Sequence, residues 1–179
     1  MMTDKASCNF AMEIPDGDDK LRWVCQICDF IDYQNPRIVA GSVVVKDGKV
    51  LLCKRAIEPR KGYWTLPAGY MELGETVEEA AAREAQEEAL AEIDIERVLA
   101  VYSVPRIGQV QVMFRAALDG EFGIGEESEA VALYAWKDIP WSQLAFPTVV
   151  WALTHYAETR GQSAFAPFTN PPGTDEVTR

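Results

Sequence analysis

The sequence has few of the residues on which several common chemistries depend. It contains one histidine, His155, in a segment typical of a last helix, so we expect a structural role for it rather than a histidine-based nucleophilic triad. Four cysteines do not suggest the disulfide framework of a small secreted domain. No run of eighteen apolar residues occurs and the N-terminus lacks a signal-peptide pattern. We therefore expect a cytoplasmic protein with no membrane partner.

Basic residues are also scarce, with 17 Lys and Arg against 28 Asp and Glu, which leaves a formal net charge of −11. Because proteins hold nucleic acid largely through positive charge on its phosphates, this balance argues against a nucleic-acid partner. A small anionic substrate would need metal ions and a few local arginines to overcome the negative field. The 179 residues are enough for one ordinary domain and a small appendage.

Strand-like and helix-like segments alternate along the chain. An apolar run at 38–45, then Asp47-Gly48, then a second run at 49–54 predict a hairpin with a two-residue turn. Pro147 is placed to open a last helix. Other strand-like runs lie at 93–104, 109–117 and 131–136. This order favours an α/β sandwich with a mixed sheet.

A helix start is predicted at Thr76, because Thr76 followed by Glu79 is a capping-box pattern. Arg83 comes four residues after Glu79, an order that favours an ion pair on the helix surface. Alanines at 80, 81, 82 and 85 leave this helix a slim face that can pack close to a sheet.

Three glutamates follow on the same predicted helix. Glu84, Glu87 and Glu88 fall at spacings of three and four, so they lie on neighbouring flanks of one face. Like charges this close repel each other, and a hard divalent cation such as Mg²⁺, which prefers oxygen ligands, would relieve the repulsion. The alternative is a solvated acidic helix face.

Residues 69–88 as a whole carry a fixed pattern of glycine, acidic and basic residues. The pattern is Gly69, five residues, Glu75, seven residues, Arg83-Glu84, a small apolar residue, any residue, and Glu87-Glu88. This segment resembles the signature of the Nudix hydrolases. The resemblance implies an α/β/α sandwich with a mixed sheet and a catalytic helix on one sheet face.

The chain departs from that signature at its end. The family pattern expects glycine at position 90, where this chain has Leu90, followed by Ala91. Because glycine commonly closes a helix in the left-handed conformation, we expect Leu90 to let the helix run on or end differently.

The resemblance also implies roles for individual residues. Glu84 and Glu88 would bind the metal directly, and Glu87 would share a second ion or bind through water. The backbone carbonyl of Ala68 would be a further ligand to Mg²⁺ or Mn²⁺. Arg83 would pair with Glu75 and orient the other carboxylates.

The general base is left open between two glutamates. Some family members place it in a loop after the later strands, where residues 125–129 contain Glu127. Others use a signature glutamate, which here would be Glu87. A surface acidic loop is the alternative for Glu127.

Flanking segments narrow the substrate class. Residues 33–36, 66–72 and 104–109 resemble a Nudix group with an N-terminal zinc-ribbon remnant, whose members include FAD and ADP-ribose pyrophosphatases. Residues that would then meet phosphate are Arg106, Arg55 or Lys54. Tyr70 or Trp64 would stack on a base, with a place in the core as the alternative for each aromatic residue.

The cysteines make an incomplete zinc-ribbon pattern. Cys25 and Cys28 form one knuckle, and Cys8 lies at a fitting separation but has no cysteine three positions away. These three residues would bind Zn²⁺ through thiolates, or the ribbon has lost its metal and is held by packing. Cys53 follows an apolar run and is expected to be a buried hydrophobe.

Together these observations predict three segments: a degenerate zinc-ribbon-like segment at 1–36, a Nudix domain at 37–162, and a C-terminal strap and tail at 163–179. The expected activity is hydrolysis of a nucleoside diphosphate linkage, giving FMN and AMP from FAD, or AMP and ribose 5-phosphate from ADP-ribose. NADH pyrophosphatase activity and a non-catalytic nucleotide sensor are the alternatives. The expected partner is a small-molecule nucleotide, and the resemblance implies a homodimer.

Overall fold

The structure, a computed structural model, describes residues 9–174. The chain separates into two compact units, which divide between Asn35 and Pro36.

The N-terminal unit is a three-stranded antiparallel sheet. Its strands are β1 (Phe10–Glu13), β2 (Arg22–Cys25) and β3 (Ile31–Asp32), in the order β1-β2-β3. A turn after β2 is closed by two backbone hydrogen bonds: Asp29 N–H donates to the Cys25 carbonyl (2.9 Å), and Cys25 N–H donates to the Phe30 carbonyl (2.8 Å). Cys25 is buried and Cys28 is exposed, while Cys8 lies outside the described residues.

The larger unit contains a seven-stranded mixed sheet and two helices. The central path runs β10-β5-β4-β9-β8, with β6 added to β5 and β7 added to β4. β4 and β9 are parallel, and the other pairs are antiparallel. The elements are β4 (Arg37–Lys46), β5 (Lys49–Arg55), β6 (Trp64–Thr65), β7 (Ala68–Tyr70), α1 (Val77–Ala89), β8 (Glu92–Val104), β9 (Gln109–Asp119), β10 (Ser128–Ala135) and α2 (Pro147–Thr159).

The two helices cover opposite faces of this sheet. Side chains alternate between faces along a strand, so Val43 and Val44 of β4 point to different sides. Val43 packs in a cluster with Trp151 of α2, whereas Val44 packs in a cluster with Ala89 of α1. Leu52 and Leu51 of β5 divide in the same way. The α/β/α sandwich expected from the sequence is confirmed.

Several local predictions are confirmed. Asp47 and Gly48 both have positive φ, 50° and 73°, as a tight hairpin turn with this twist requires. The capping box at the start of α1 is present, with Thr76 as the N-cap. His155 is buried in α2, its Nδ1 lies 2.7 Å from the Tyr102 hydroxyl, and its ring stacks on Phe168. Its role is therefore structural, as expected.

The expectation for Leu90 is wrong. α1 ends at Ala89, and Leu90 adopts the left-handed conformation itself, with φ 47° and ψ 35°. Its backbone N–H donates to the Ala85 and Gln86 carbonyls, as a glycine at this position would. The tertiary structure therefore imposes the left-handed helix end on a residue that disfavours it.

The expected pair between Glu79 and Arg83 is also not formed among the described residues. The Glu79 carboxylate accepts a hydrogen bond from the Thr76 backbone N–H (2.7 Å) and completes the cap. Arg83 pairs instead with Glu75, Glu84 and Glu87. Within residues 9–174, no helix has the length and apolar character needed to cross a membrane.

Replacing Leu90 with glycine should stabilise the protein. The left-handed conformation costs a non-glycine residue about 1 kcal/mol, and the Leu90 side chain is half-exposed, so little packing is lost. We expect Leu90→Gly to raise the free energy of unfolding by roughly 0.5–1 kcal/mol in urea titrations. Ala82→Gly, in the regular part of α1, is the control and should lower it by about 1 kcal/mol. Destabilisation by both changes would contradict the strain at Leu90.

Candidate active site

A cavity of about 600 Å³ in the larger unit brings most of the predicted site residues of that unit together. Its walls come from the end of β5, from β7, from one face of α1, from the turn after β8 and from the loop before β10. The predicted residues that line it are Arg55, Ala68, Tyr70, Arg83, Glu84, Glu87, Glu88, Arg106 and Glu127.

The Arg83 guanidinium is the most connected group of this site. Its Nε and Nη2 donate to the two carboxylate oxygens of Glu75 (3.1 and 2.9 Å), which is the forked pairing expected from the resemblance. Nη2 also donates to the Tyr70 carbonyl (3.0 Å), and Nη1 donates to Glu84 (2.8 Å) and Glu87 (2.9 Å). The hydrogen bonds from Arg83 lower the pKa of the Glu75 carboxyl. One side chain thus ties the loop before α1 to the acidic face of that helix.

The Glu84 carboxylate lies directly against the backbone of Gly69. A Cβ on Gly69 would collide with both carboxylate oxygens of Glu84. The glycine at the start of the signature therefore provides room for this carboxylate next to β7. Burial raises the pKa of Glu84 above its ordinary value, although the hydrogen bond from Arg83 acts in the opposite direction.

Glu88 is the most deeply buried of the three glutamates, with 5% of its surface exposed. The Ala68 backbone N–H acts on this carboxyl in the direction that lowers its pKa. Burial, assisted by the nearby charge of Glu84, raises its pKa to about 8. An uncompensated carboxylate in this position favours its neutral form, whereas a bound cation would favour the ionised form.

The donor set fits a hard divalent cation, since Glu84, Glu87 and Glu88 supply carboxylate oxygens to one cavity. The side chains are not closed around an ion, however. Within residues 9–174, no three acidic, histidine or cysteine side chains are grouped tightly enough to hold a metal. Arg83 Nη1 lies between Glu84 and Glu87 and supplies the positive charge there. The metal ligands named from the sequence, including the Ala68 carbonyl, stay a prediction.

The loop that carries Glu127 is attached to the end of α1. Gly123 N–H donates to the Ala89 carbonyl (2.7 Å), and Gly125 N–H donates to the Glu88 carbonyl (3.2 Å). The loop passes so close to the backbone of α1 that a Cβ on Gly125 would collide with the Glu87 carbonyl oxygen. Glu127 is exposed at the cavity wall, near enough for its charge to raise the pKa of both Glu84 and Glu88.

Two of the candidate phosphate-binding residues line the cavity and one does not. Arg55 donates from Nε to the Pro59 carbonyl (2.8 Å) and lies over the Phe146 ring, and Arg106 is exposed in the turn after β8. Lys54 pairs with Glu129 (3.5 Å) and is not part of the cavity wall. Adjacent residues on a strand face opposite sides, which separates Lys54 from Arg55.

The two aromatic candidates are also separated. Tyr70 lines the cavity, with Arg37 over its ring. Trp64 packs edge-on against Tyr134 in the core and does not line the cavity, so its alternative place in the core is the observed one. Cys53 is fully buried, as expected, and its burial raises the pKa of its thiol.

Other lining residues were not identified from the sequence. Gln109 and Gln111 of β9 are joined by a hydrogen bond and face the cavity. Gln109 and Gln111 alternate with Val110 and Val112, which indicates that one face of β9 is polar. Only the order of the strands in the sheet shows that this face lines the same cavity as the carboxylates. Others come from α2 and from the loop after β5, namely Ile57, Glu58, Pro59, Phe146, Thr148 and Trp151.

Comparison with known proteins agrees with this geometry. A family model described as NUDIX domain matches residues 35–153, and a zinc-ribbon model described as Nudix N-terminal matches residues 8–34. The chain belongs to the Nudix family. As a Nudix hydrolase it is a pyrophosphohydrolase, and enzymes of this family generally use divalent metal ions.

Three relatives illustrate the similarity. The crystal structure of a Nudix hydrolase from Nitrosomonas europaea is 44% identical, with a TM-score of 0.86, covering 94% of this chain and 97% of that chain. An ADP-ribose pyrophosphatase from Methanocaldococcus jannaschii is 34% identical over 119 residues, which span 64% of this chain and 69% of the relative. The NAD-capped RNA hydrolase NudC of Photobacterium profundum is 36% identical over 74 residues, 40% of this chain and 27% of the relative.

Adding a methyl group at Gly125 should disturb the attachment of the Glu127 loop. The added Cβ would meet backbone atoms of α1, which cannot move aside as a side chain can. We expect Gly125→Ala to lower the free energy of unfolding by about 2 kcal/mol in urea titrations. Gly123→Ala is the control, because its Cβ meets only the Leu90 side chain, at 3.1 Å. Equal effects of the two changes would contradict the close approach at Gly125.

The burial of Glu88 should appear in the pH dependence of stability. The pKa of Glu88 in the folded state is about 8, above its ordinary value of 4.5. Between pH 4.5 and pH 8 the folded state therefore holds a proton on Glu88 that the unfolded state has lost. Stability of the metal-free protein therefore falls as the pH rises through this window. In a chelator, Glu88→Gln should be more stable than the parent by roughly 1–3 kcal/mol near pH 8.5, and by much less near pH 5. The exposed Glu78→Gln should show no such trend, and a Glu88→Gln effect that is the same at both pH values would contradict the shift.

Proposed function

We propose that this Nudix hydrolase cleaves the diphosphate bond of nucleoside diphosphate-linked substrates, with ADP-ribose as the main candidate and FAD as the second. The supporting observation is that one cavity combines two buried carboxylates, Glu84 and Glu88, with the arginines Arg55 and Arg106. Carboxylates that would bind a divalent cation, together with arginines that would meet phosphate, suit a doubly charged diphosphate.

Mg²⁺ or Mn²⁺, when bound, would neutralise phosphate oxygens and lower the pKa of the attacking water. Glu84, Glu88 and the Ala68 carbonyl would hold it, with Glu87 on a second ion or acting through water. Arg83, fixed by its two hydrogen bonds to Glu75, would keep Glu84 and Glu87 in position.

The remaining residues would handle the proton and the phosphates. Glu127 would accept the proton from the water as it attacks phosphorus, and the bond from that phosphorus to the bridging oxygen would break. Glu87 is the alternative base. Arg55 and Arg106 would bind the non-bridging oxygens of the leaving phosphate. ADP-ribose and water would thus give AMP and ribose 5-phosphate.

The choice of substrate rests on the relatives and on the wall of the cavity. ADP-ribose is the substrate named for the Methanocaldococcus jannaschii relative. Part of the wall is apolar and aromatic, which suits a nucleobase, and includes Ile57, Leu66, Phe146 and Trp151. NADH fits the same general description as an alternative substrate. A non-catalytic sensor fits less well, because binding alone gives no reason to bury Glu84 and Glu88 side by side.

The test is AMP release from ADP-ribose, FAD and NADH by purified protein with Mg²⁺. Glu84→Gln and Glu88→Gln should each lower kcat/KM for the preferred substrate more than about a hundredfold, since each removes a proposed metal ligand. Glu78→Gln is the control, because Glu78 is exposed in the first turn of α1 and does not line the cavity. Full turnover in both cavity variants would reject the proposed metal site, and binding of ADP-ribose without any AMP release would favour the sensor.

A further inference from the structure

A row of three polar side chains crosses one wall of the cavity. The Gln111 side-chain Nε2 donates to Gln109 Oε1 (3.0 Å), and Gln109 Nε2 donates to the Tyr70 hydroxyl (2.9 Å). All three residues line the cavity. We call Tyr70, Gln109 and Gln111 the polar row.

The strand register explains why these residues meet. β4 lies between β7 and β9, and Val39 of β4 pairs with Tyr70 on one side and with Gln111 on the other. Arg37, two residues earlier on the same face, pairs with Gln109, and its guanidinium lies 4.7 Å from the Tyr70 ring centroid. The pairing of β4 with the strands on both of its sides therefore fixes the positions of these residues, and Tyr70 is the exposed member of the polar row.

The polar row is also connected to the acidic face of α1. The Tyr70 backbone carbonyl accepts a hydrogen bond from Arg83 Nη2 (3.0 Å), and Arg83 holds Glu84 and Glu87. A group bound to the polar row is thus placed at a defined distance from the carboxylates proposed to carry the reaction. This arrangement suits the recognition of a substrate part that does not itself react.

The hydrogen-bonding capacity of the polar row is only partly used within the protein. After the two internal bonds, each amide keeps one N–H, Gln111 keeps its carbonyl oxygen, and Tyr70 keeps its O–H. These are donors and acceptors side by side, which is what sugar hydroxyls require because each hydroxyl both donates and accepts. The neighbouring wall at Val39, Val104 and Met113 is apolar.

The other side of the cavity has a different character. Ile57, Pro59 and Phe146 lie with Arg55 at the β5 side, and β5 is two strands away from β9 in the sheet order. At about 4.8 Å per strand, the two sides are separated by about 10 Å. A flat base suits the apolar β5 side, and a sugar suits the β9 side.

We propose that Tyr70, Gln109 and Gln111 are specificity-determining residues that bind the hydroxyl groups of a sugar phosphate, so that the preferred substrates are nucleoside diphosphate sugars. This inference rests on the proposed function. The sugar bound by the polar row is the one on the far side of the diphosphate from the nucleoside.

The test uses the two products as separate probes of the two sides of the cavity. Gln109→Met and Gln111→Met keep side-chain length and remove the amide. Each should weaken inhibition by ribose 5-phosphate about tenfold and raise KM for ADP-ribose by a similar factor, with kcat within about twofold. Inhibition by AMP should be unchanged, which also shows that the variants are folded. Gln143→Met is the control, because Gln143 is exposed in a turn outside the cavity.

The outcomes separate this inference from the proposed function. If the unaltered protein releases no AMP from any diphosphate substrate, the proposed function fails, and binding of ribose 5-phosphate measured by calorimetry still tests the polar row. If turnover is normal but ribose 5-phosphate inhibits both variants as strongly as the parent, the polar row does not bind the sugar. Loss of AMP inhibition with ribose 5-phosphate inhibition intact would place the nucleoside at the polar row and overturn the assignment.

Discussion

The hydrogen bonds of the Arg83 guanidinium are the interaction on which the rest of the site depends. Three carboxylates, from Glu75, Glu84 and Glu87, converge on this one side chain, and in its absence they would repel one another across a partly buried space. The planar fork of arginine can serve all three at once, which the single ammonium group of a lysine cannot do with the same geometry. The bond to the Tyr70 carbonyl extends this network to β7. The helix α1, the loop before it and the strand β7 are thereby held as one unit.

Two glycine-containing segments approach α1 closely, one at each end of the helix face that carries the glutamates. At one end Gly69 leaves space for the Glu84 carboxylate, and at the other Gly125 brings the Glu127 loop against the carbonyl groups of α1. A methyl group at Gly125 would meet backbone atoms of α1, and one at Gly69 would displace the Glu84 carboxylate. Because a side chain at either glycine would overlap neighbouring atoms, the site tolerates little change at these two positions, even though neither carries a functional group.

Much of the site was predictable because its parts are close together in the sequence. The capping box, the hairpin turn and the spacing of Glu84 and Glu88 each depend on residues within a few positions of one another. Two other outcomes depend on contacts with distant segments. Leu90 takes the left-handed conformation where the loop from residue 120 onwards packs against the end of α1, and that packing is not visible in the local pattern. Trp64 could not be assigned to the core or the cavity until the orientation of its strand was known.

The amino-acid sequence by itself determined the family, the mixed α/β fold and the acidic face of α1, because a periodic pattern and local caps act over one or two helical turns. Only the tertiary structure decided which side chains share the cavity. Gln109 and Gln111 lie far along the chain from Tyr70, and they meet it because β4 separates β7 from β9 in the sheet. The pKa of Glu88 is likewise a tertiary property, since it follows from the burial of that carboxyl beneath strands from other parts of the chain. Strand order and burial result from the packing of the whole domain, and no short stretch of residues specifies them.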